Sequence, residues 1–240
     1  MSTTEISPTA PPTSAKPARD VRTLWRVLLA VVAPLPLLGM GLSYAISPFA
    51  GGTPFEEIVP QVTAHHTATV VASALSVFFL VGLIPATYAL IWITRRRTPV
   101  LTTIGALLTL PGFLAAFPML PSDTGLAQIT ADKGLDPSVI GALDKALWAQ
   151  PQAGFLAVLF LAGIVIGLPI LGTAMWRAGV APAWTAICLI LGTVTHPFLP
   201  GHLITGIGLI VGAVGFLGVS RALLRQTNDQ FDLPPQHRTR

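Results

Sequence analysis

The sequence predicts an all-α fold: a six-helix transmembrane bundle with both termini cytoplasmic and two short amphipathic helices in its outer loops. Three observations predict it. The chain of 240 residues is 52% hydrophobic but only 10% charged, where a soluble domain carries about 25% charged residues. Its apolar residues gather into six long runs, at 24–46, 67–93, 99–119, 153–176, 182–199 and 202–224. Its basic residues gather between alternate runs. With so little polar surface, the chain cannot coat a water-facing globule, and lipid must be the solvent for the rest.

Residues 1–21 are rich in Ser, Thr, Pro and Ala and read as a disordered cytoplasmic tail. Residues 22–225 hold the six spans, and 226–240 read as a second disordered tail. A helix needs about 20 apolar residues to cross ~30 Å of hydrocarbon. There every backbone N–H and C=O must be satisfied within its own segment, so each run is expected to be helical. The first run exceeds the 7–15 apolar residues of a secretory signal, so it reads as a retained anchor despite Ser43-Tyr44-Ala45. The fifth run is the most broken, ending in Thr195-His196-Pro197-Phe198-Leu199-Pro200-Gly201.

Orientation follows from Lys and Arg. With both termini inside, the inner segments hold Lys16, Arg19, Arg22, Arg26, Arg95, Arg96, Arg97, Arg177, Arg221, Arg225, Arg238 and Arg240, and the outer loops hold only Lys133 and Lys145. That bias is the positive-inside pattern. It is not a nucleic-acid signal, because no solvated basic face forms. Trp25, Trp92, Trp176 and Trp184 fall at the same inner boundary, where an indole can reach headgroups.

Two outer loops exceed simple connectors. Thr53-Pro54-Phe55-Glu56 has the signature of a helix start. Asp136-Pro137 opens a second helix, with Val139, Ile140, Leu143, Leu147 and Trp148 on one face and Asp144 and Lys145 on the other. That helix is expected to lie flat on the outer membrane surface or to cap the bundle mouth. A weak internal echo links Phe79-Leu80-Val81-Gly82 and Trp92 with Phe160-Leu161-Ala162-Gly163 and Trp176, as a parallel repeat would.

Small residues mark two helix faces: Gly163 and Gly167 in the fourth run, and Thr205, Gly208, Gly212 and Gly215 in the sixth. They serve helix packing within the chain or, alternatively, a homo-oligomer. Pro34, Pro36, Pro85, Pro111 and Pro169 lie inside runs and favour kinks. Cys188 is the only cysteine, so no internal disulfide forms.

The sharpest polar constellation is histidine. His65 and His66 start the second run, and His196 and His202 flank the turn between the fifth and sixth, all on the outer side. A metal site of His66, His196 and His202 with Glu56 or Glu57 would suit zinc or copper, and two opposed imidazoles would suit haem. The set lacks a recognised ligand spacing, so solvated or structural histidines remain the other reading. No catalytic motif occurs, no cofactor is required, and no run carries an acid or lysine in its centre.

The order Phe55-Glu56-Glu57-Ile58, Ala64-His65, Pro85, the Arg95–Arg97 turn, Pro99, Trp176-Arg177 and Pro182 resembles multi-pass membrane proteins common in actinobacteria, of the DUF4386 type. The resemblance spans residues 20–225 and implies topology, not chemistry. The functional expectation is therefore a non-enzymatic protein of the bacterial plasma membrane. Its partners would be membrane lipids, a small apolar ligand or another membrane protein. An uncoupled transporter is the alternative, and a metal- or haem-binding protein the next.

Overall fold

The computed structural model describes residues 20–119, 123–195, 198 and 201–233. Among them the regular structure is entirely helical. The first run is two helices, α1 (Arg22–Val32) and α2 (Leu35–Ile46). They are followed by α3 (Phe55–Ala64), α4 (His66–Thr94), α5 (Pro99–Ala115), α6 (Asp123–Lys133) and α7 (Pro137–Trp148). Next come α8 (Pro151–Ala162), a π turn (Gly163–Gly167), α9 (Leu168–Arg177), α10 (Ala183–Thr195), α11 (His202–Arg225) and the short α12 (Asn228–Phe231).

Four stretches are long and apolar enough to cross a membrane: Arg22–Ile46, His66–Thr94, Pro151–Arg177 and His202–Arg225. The chain thus has the helices of a multi-pass membrane protein. Two further apolar helices are shorter than the sequence suggested. α5 stops at Ala115 instead of 119, since Pro118 has no N–H to return to Leu114. α10 stops at Thr195, and the histidine and prolines that follow it at 196, 197 and 200 lie outside the described residues. At about 1.5 Å per residue, α5 covers about 26 Å and α10 about 20 Å.

The apolar helices close a circuit in chain order. α1 and α2 pack on α4, α4 on α5, α5 on α8, the π turn and α9, α9 on α10, α10 on α11, and α11 returns to α2 and α1. Two ends can be named by composition. The arginine end carries Arg22, the Arg95–Arg97 turn, Arg177 and Arg225. The histidine end carries His65, His66 and His202.

Local chemistry explains the breaks. Pro34 cannot donate to Ala30 O, so the first run breaks between α1 and α2. The stranded Ala30 carbonyl accepts a hydrogen bond from Ser220 Oγ of α11 at 2.6 Å. The π turn leads directly into Pro169, whose missing N–H also interrupts the α ladder. Several buried threonines satisfy their hydroxyls on their own helices, as Thr94 does on Leu90 O (2.9 Å) and Thr193 on Leu189 O (2.9 Å), whereas the buried Thr87 and Thr109 hydroxyls have no hydrogen-bond partner among the described residues.

Both small-residue faces pack against helices of the same chain. A β-carbon on Gly215 would fall 2.7 Å from Leu189 Cα, one on Gly112 would fall 2.9 Å from Gly163 Cα, and one on Gly212 would meet Leu37 Cδ1 at 2.9 Å. These approaches are possible only because no side chain intervenes.

The arginine end differs from the sequence reading in one respect. Residues 226–233 are not a free tail. Thr227 and Gln230 form a reciprocal capping box that starts α12. Phe231 is buried against Trp92, with ring centroids 5.3 Å apart, and Trp92 Nε1 donates to Phe231 O at 2.9 Å. Arg22 bridges Asp20 at 2.9 Å and Asp229 at 2.7 Å. The aromatic group that fixes this turn was hidden in a polar segment, where one Phe among Asn, Asp and Gln gives no periodic signal. Trp92 accordingly faces the protein, with the Arg95 guanidinium 3.4 Å above its ring, whereas Trp25, Trp176 and Trp184 stay more than half exposed. The expected N-terminal tail up to residue 19, and residues 234–240, lie outside the described residues.

Candidate ligand-binding site

At the histidine end, α5 finishes early while α4 and α8 run on. The gap is covered by α3, α6 and α7, which build a second, smaller apolar cluster around Phe55, Ile58, Val59, Val62 and Ala127. Beneath this cover lies a cavity of about 430 Å³, within the range of about 300–1,000 Å³ usual for small-molecule sites.

Its walls are assembled from distant parts of the chain. α2 supplies Met40, Ser43 and Tyr44, α4 supplies Ser76 and Phe79, and α8 supplies Phe160. Trp148 stands at the end of α7, His202 at the start of α11, and the 50–53 loop forms part of the rim. The residues echoed in sequence, Phe79 and Phe160, both line it. Toward the arginine end it is blind: Leu37, Leu83, Phe113, Ile164 and Leu209 are fully buried in one continuous core.

Ser43, Tyr44, Ser47, Thr53, Ser76, Thr124 and His202 supply the polar side chains of the lining. Ser43 Oγ donates to Ala72 O at 2.9 Å, Ser76 Oγ reaches the same carbonyl at 3.0 Å, and the two hydroxyls are 3.0 Å apart. The His202 ring stands edge-on to Tyr44 with centroids 4.7 Å apart, and 6.5 Å from Phe49. His202 is half-buried and its Nδ1 has no hydrogen-bond partner among the described residues. No Asp, Glu, Lys or Arg is among the residues that line the cavity.

The three histidines singled out in the sequence do not share this fate. His202 lines the cavity. His66 is exposed at the start of α4 and is not a lining residue, and His65, at the α3–α4 break, is exposed too. His196 lies outside the described residues. Glu56 and Glu57 are exposed in the first turn of α3. Among the described residues, no three His, Cys, Asp or Glu side chains come together as a metal-ligand group.

The site residues that sequence reasoning missed are Ser43, Tyr44, Ser76 and Trp148. Ser43 and Ser76 were visible as hydroxyls inside apolar runs, but their meeting depends on how α2 packs on α4. Trp148 does not share the face of Val139 and Leu143 with which the sequence reading grouped it; nine residues after Val139, at about 100° each, it lies about half a turn away. It turns to the cavity, because Gly141 lets that side of α7 approach α3: a β-carbon there would lie 3.2 Å from Phe55 Cβ.

A candidate site without charge, with aromatic walls and two paired hydroxyls, can hold a neutral, mostly apolar molecule, since a charged group there would be desolvated and unpaired. No family model matches the chain, and neither a curated protein nor a solved structure was found to match it.

Proposed function

We propose that this chain is a six-crossing integral protein of the bacterial plasma membrane, with both termini cytoplasmic, which holds a small apolar ligand in the histidine-end cavity without transforming it. The cavity carries the ligand reading: a chain with no catalytic constellation among its described residues maintains an aromatic-walled space at one end of a bundle with a continuous apolar core. Four apolar stretches of sufficient length support membrane insertion. The closed circuit of helices supports six crossings. α5 and α10 fall short of ~30 Å, and on this reading their crossings are completed by the residues that follow them. The gathering of arginines at one end supports the orientation. The blind floor favours holding a ligand over passing it through.

Two measurements test this. A reporter fused after Arg240 should remain cytoplasmic while one inserted between Gly51 and Gly52 is exported; the reverse result removes the topology. The apolar fluorophore 1-aminoanthracene should bind the purified protein saturably, and Ser76→Phe, which fills the cavity, should abolish that binding. Equal binding by the parent and the filled variant would remove the ligand site.

A further inference from the structure

The apolar stripe of α7 has no partner among the described residues. Val139, Leu143 and Leu147 lie four residues apart, on one side of the helix, and are 62%, 54% and 57% exposed. The opposite side is spent on the protein, through Gly141 against Phe55 and Glu56 and through Trp148 at the cavity. Only Ala149 and Gln150 separate α7 from α8, whose Phe155 and Val158 are 67% and 66% exposed on a stretch long and apolar enough to span a membrane. The exposed apolar surface of that span and the stripe of α7 are joined by this elbow, where Gln150 and Gln152 are also exposed. The bilayer around a span reaches its end, so lipid is the occupant within reach of the α7 stripe.

We infer that α7 is seated in the leaflet at the histidine end, with its Val139–Leu143–Leu147 stripe immersed, and that the cavity behind it is filled from the bilayer by a neutral, membrane-dissolved alcohol. The inference rests on the ligand reading above. Trp148 makes the connection: it lines the cavity and is 41% exposed at the α7–α8 elbow, so the cavity's rim stands at the lipid boundary. The hydroxyl pair specifies the head group. Ser43 and Ser76 have two hydroxyl hydrogens, and both are engaged by Ala72 O or by the neighbouring hydroxyl. What remains on the pair is acceptor capacity, which matches a ligand O–H donor, and the His202 Nδ1 in the same cavity can accept from or donate to that hydroxyl. A carboxylate would meet two lone-pair-bearing oxygens in a site with no cationic lining residue.

The full-length chain in phosphatidylcholine nanodiscs tests both halves. With Cys188→Ala, a spin label at Leu143→Cys should collide mainly with oxygen, and one at Lys145→Cys mainly with a water-soluble nickel chelate. Water-dominated collisions at both positions would overturn the immersion of α7. With Trp25, Trp92, Trp176 and Trp184 replaced by Phe, Trp148 is the only indole. 12-Bromododecanol should quench it saturably and several-fold more strongly than 12-bromododecanoate, and Ser76→Phe should remove the saturable part. If Ser76→Phe does not fold, Thr124→Trp in the full-tryptophan background blocks the rim instead, and 12-bromododecanol should then no longer displace 1-aminoanthracene. Equal quenching by alcohol and carboxylate would overturn the ligand class while leaving the cavity as a binding site. Loss of 1-aminoanthracene binding is the separate failure of the ligand reading itself.

Discussion

Replacing Gly192 by alanine probes the closest helix approach in the fold. Its β-carbon would fall 2.5 Å from both Gly208 O and Gly212 Cα, and against Gly212 N as well. Ordinary van der Waals contact begins at 3.4 Å, so α10 and α11 must part by about 0.9 Å, the difference of the two distances. All three opposing atoms are backbone, so no side chain can swing away and the helices must move together. Overpacking of this kind costs about 1–3 kcal/mol, and rigid surroundings place this site in the upper half. Alanine's better helix propensity returns about 1 kcal/mol. The net loss is about 1–2 kcal/mol, or a fall of about 2–8 °C in thermal midpoint for a chain of this size. The chain carries its own reporter: Cys188, half-buried and one turn away on α10, reacts with a thiol-sensitive dye as the α10–α11 contact opens. Gly154→Ala is the control, since its β-carbon meets nothing within 4 Å; its midpoint should hold or rise. A Gly192→Ala midpoint equal to or above that of the parent would refute the view that backbone contact holds α10 to α11.

Other perturbations address the two ends. Trp92→Phe removes the donor to Phe231 O and should cost about 1 kcal/mol, read as earlier proteolysis within 226–233 while the bundle stays intact. The Arg22 guanidinium and backbone N–H, bonded to Asp20, hold its carboxyl at about 2, down from 3.8. A carboxyl depressed in the folded state stabilises it above the unfolded value, so its contribution is present above about pH 3.8 and lost as pH falls through about 2. Hydrogen exchange in 227–232 should therefore remain slow at pH 4, relative to the intrinsic rate, and accelerate toward pH 2. Asp136 caps α7 through Ser138 N at 2.9 Å and Ser138 Oγ at 2.7 Å, and these bonds lower its pKa. Asp136→Ala should cost about 1 kcal/mol, seen as faster exchange over 137–140 with no change in α4 or α11. Gly212→Leu should disrupt folding more severely than Gly192→Ala, because the branched side chain would enter space held by Leu37; an unchanged melting profile would count against it.

Most of the helical organisation was readable from hydropathy. A long apolar run has no alternative in lipid to satisfying its backbone internally, and each of the six runs contains a helix. Proline positions also carried local information. The split of the first run at Pro34 and the π turn before Pro169 occur where a donor is missing. The candidate site was less legible. His202 was picked out as a metal ligand with His66 and His196; it lines the cavity, while His66 is exposed and is not a lining residue. Nothing in spacing could pair Ser43 with Ser76, which are 33 residues apart, whereas the place of Trp148, about half a turn from Val139 on an ideal helix, follows from spacing alone.

By itself, then, the sequence determined the apolar runs, their helical state and the segregation of arginine to one end, because each depends on the composition of residues taken one segment at a time. Only the tertiary structure decided where space was left. The cavity exists because α5 ends at Ala115 between longer neighbours, and the glycine faces are spent inside the chain because α10, α11 and α2 reach backbone contact. The docked C-terminal turn likewise depends on one aromatic ring finding another 139 residues away. Packing is a property of pairs of surfaces, and no single segment contains the partner that completes it.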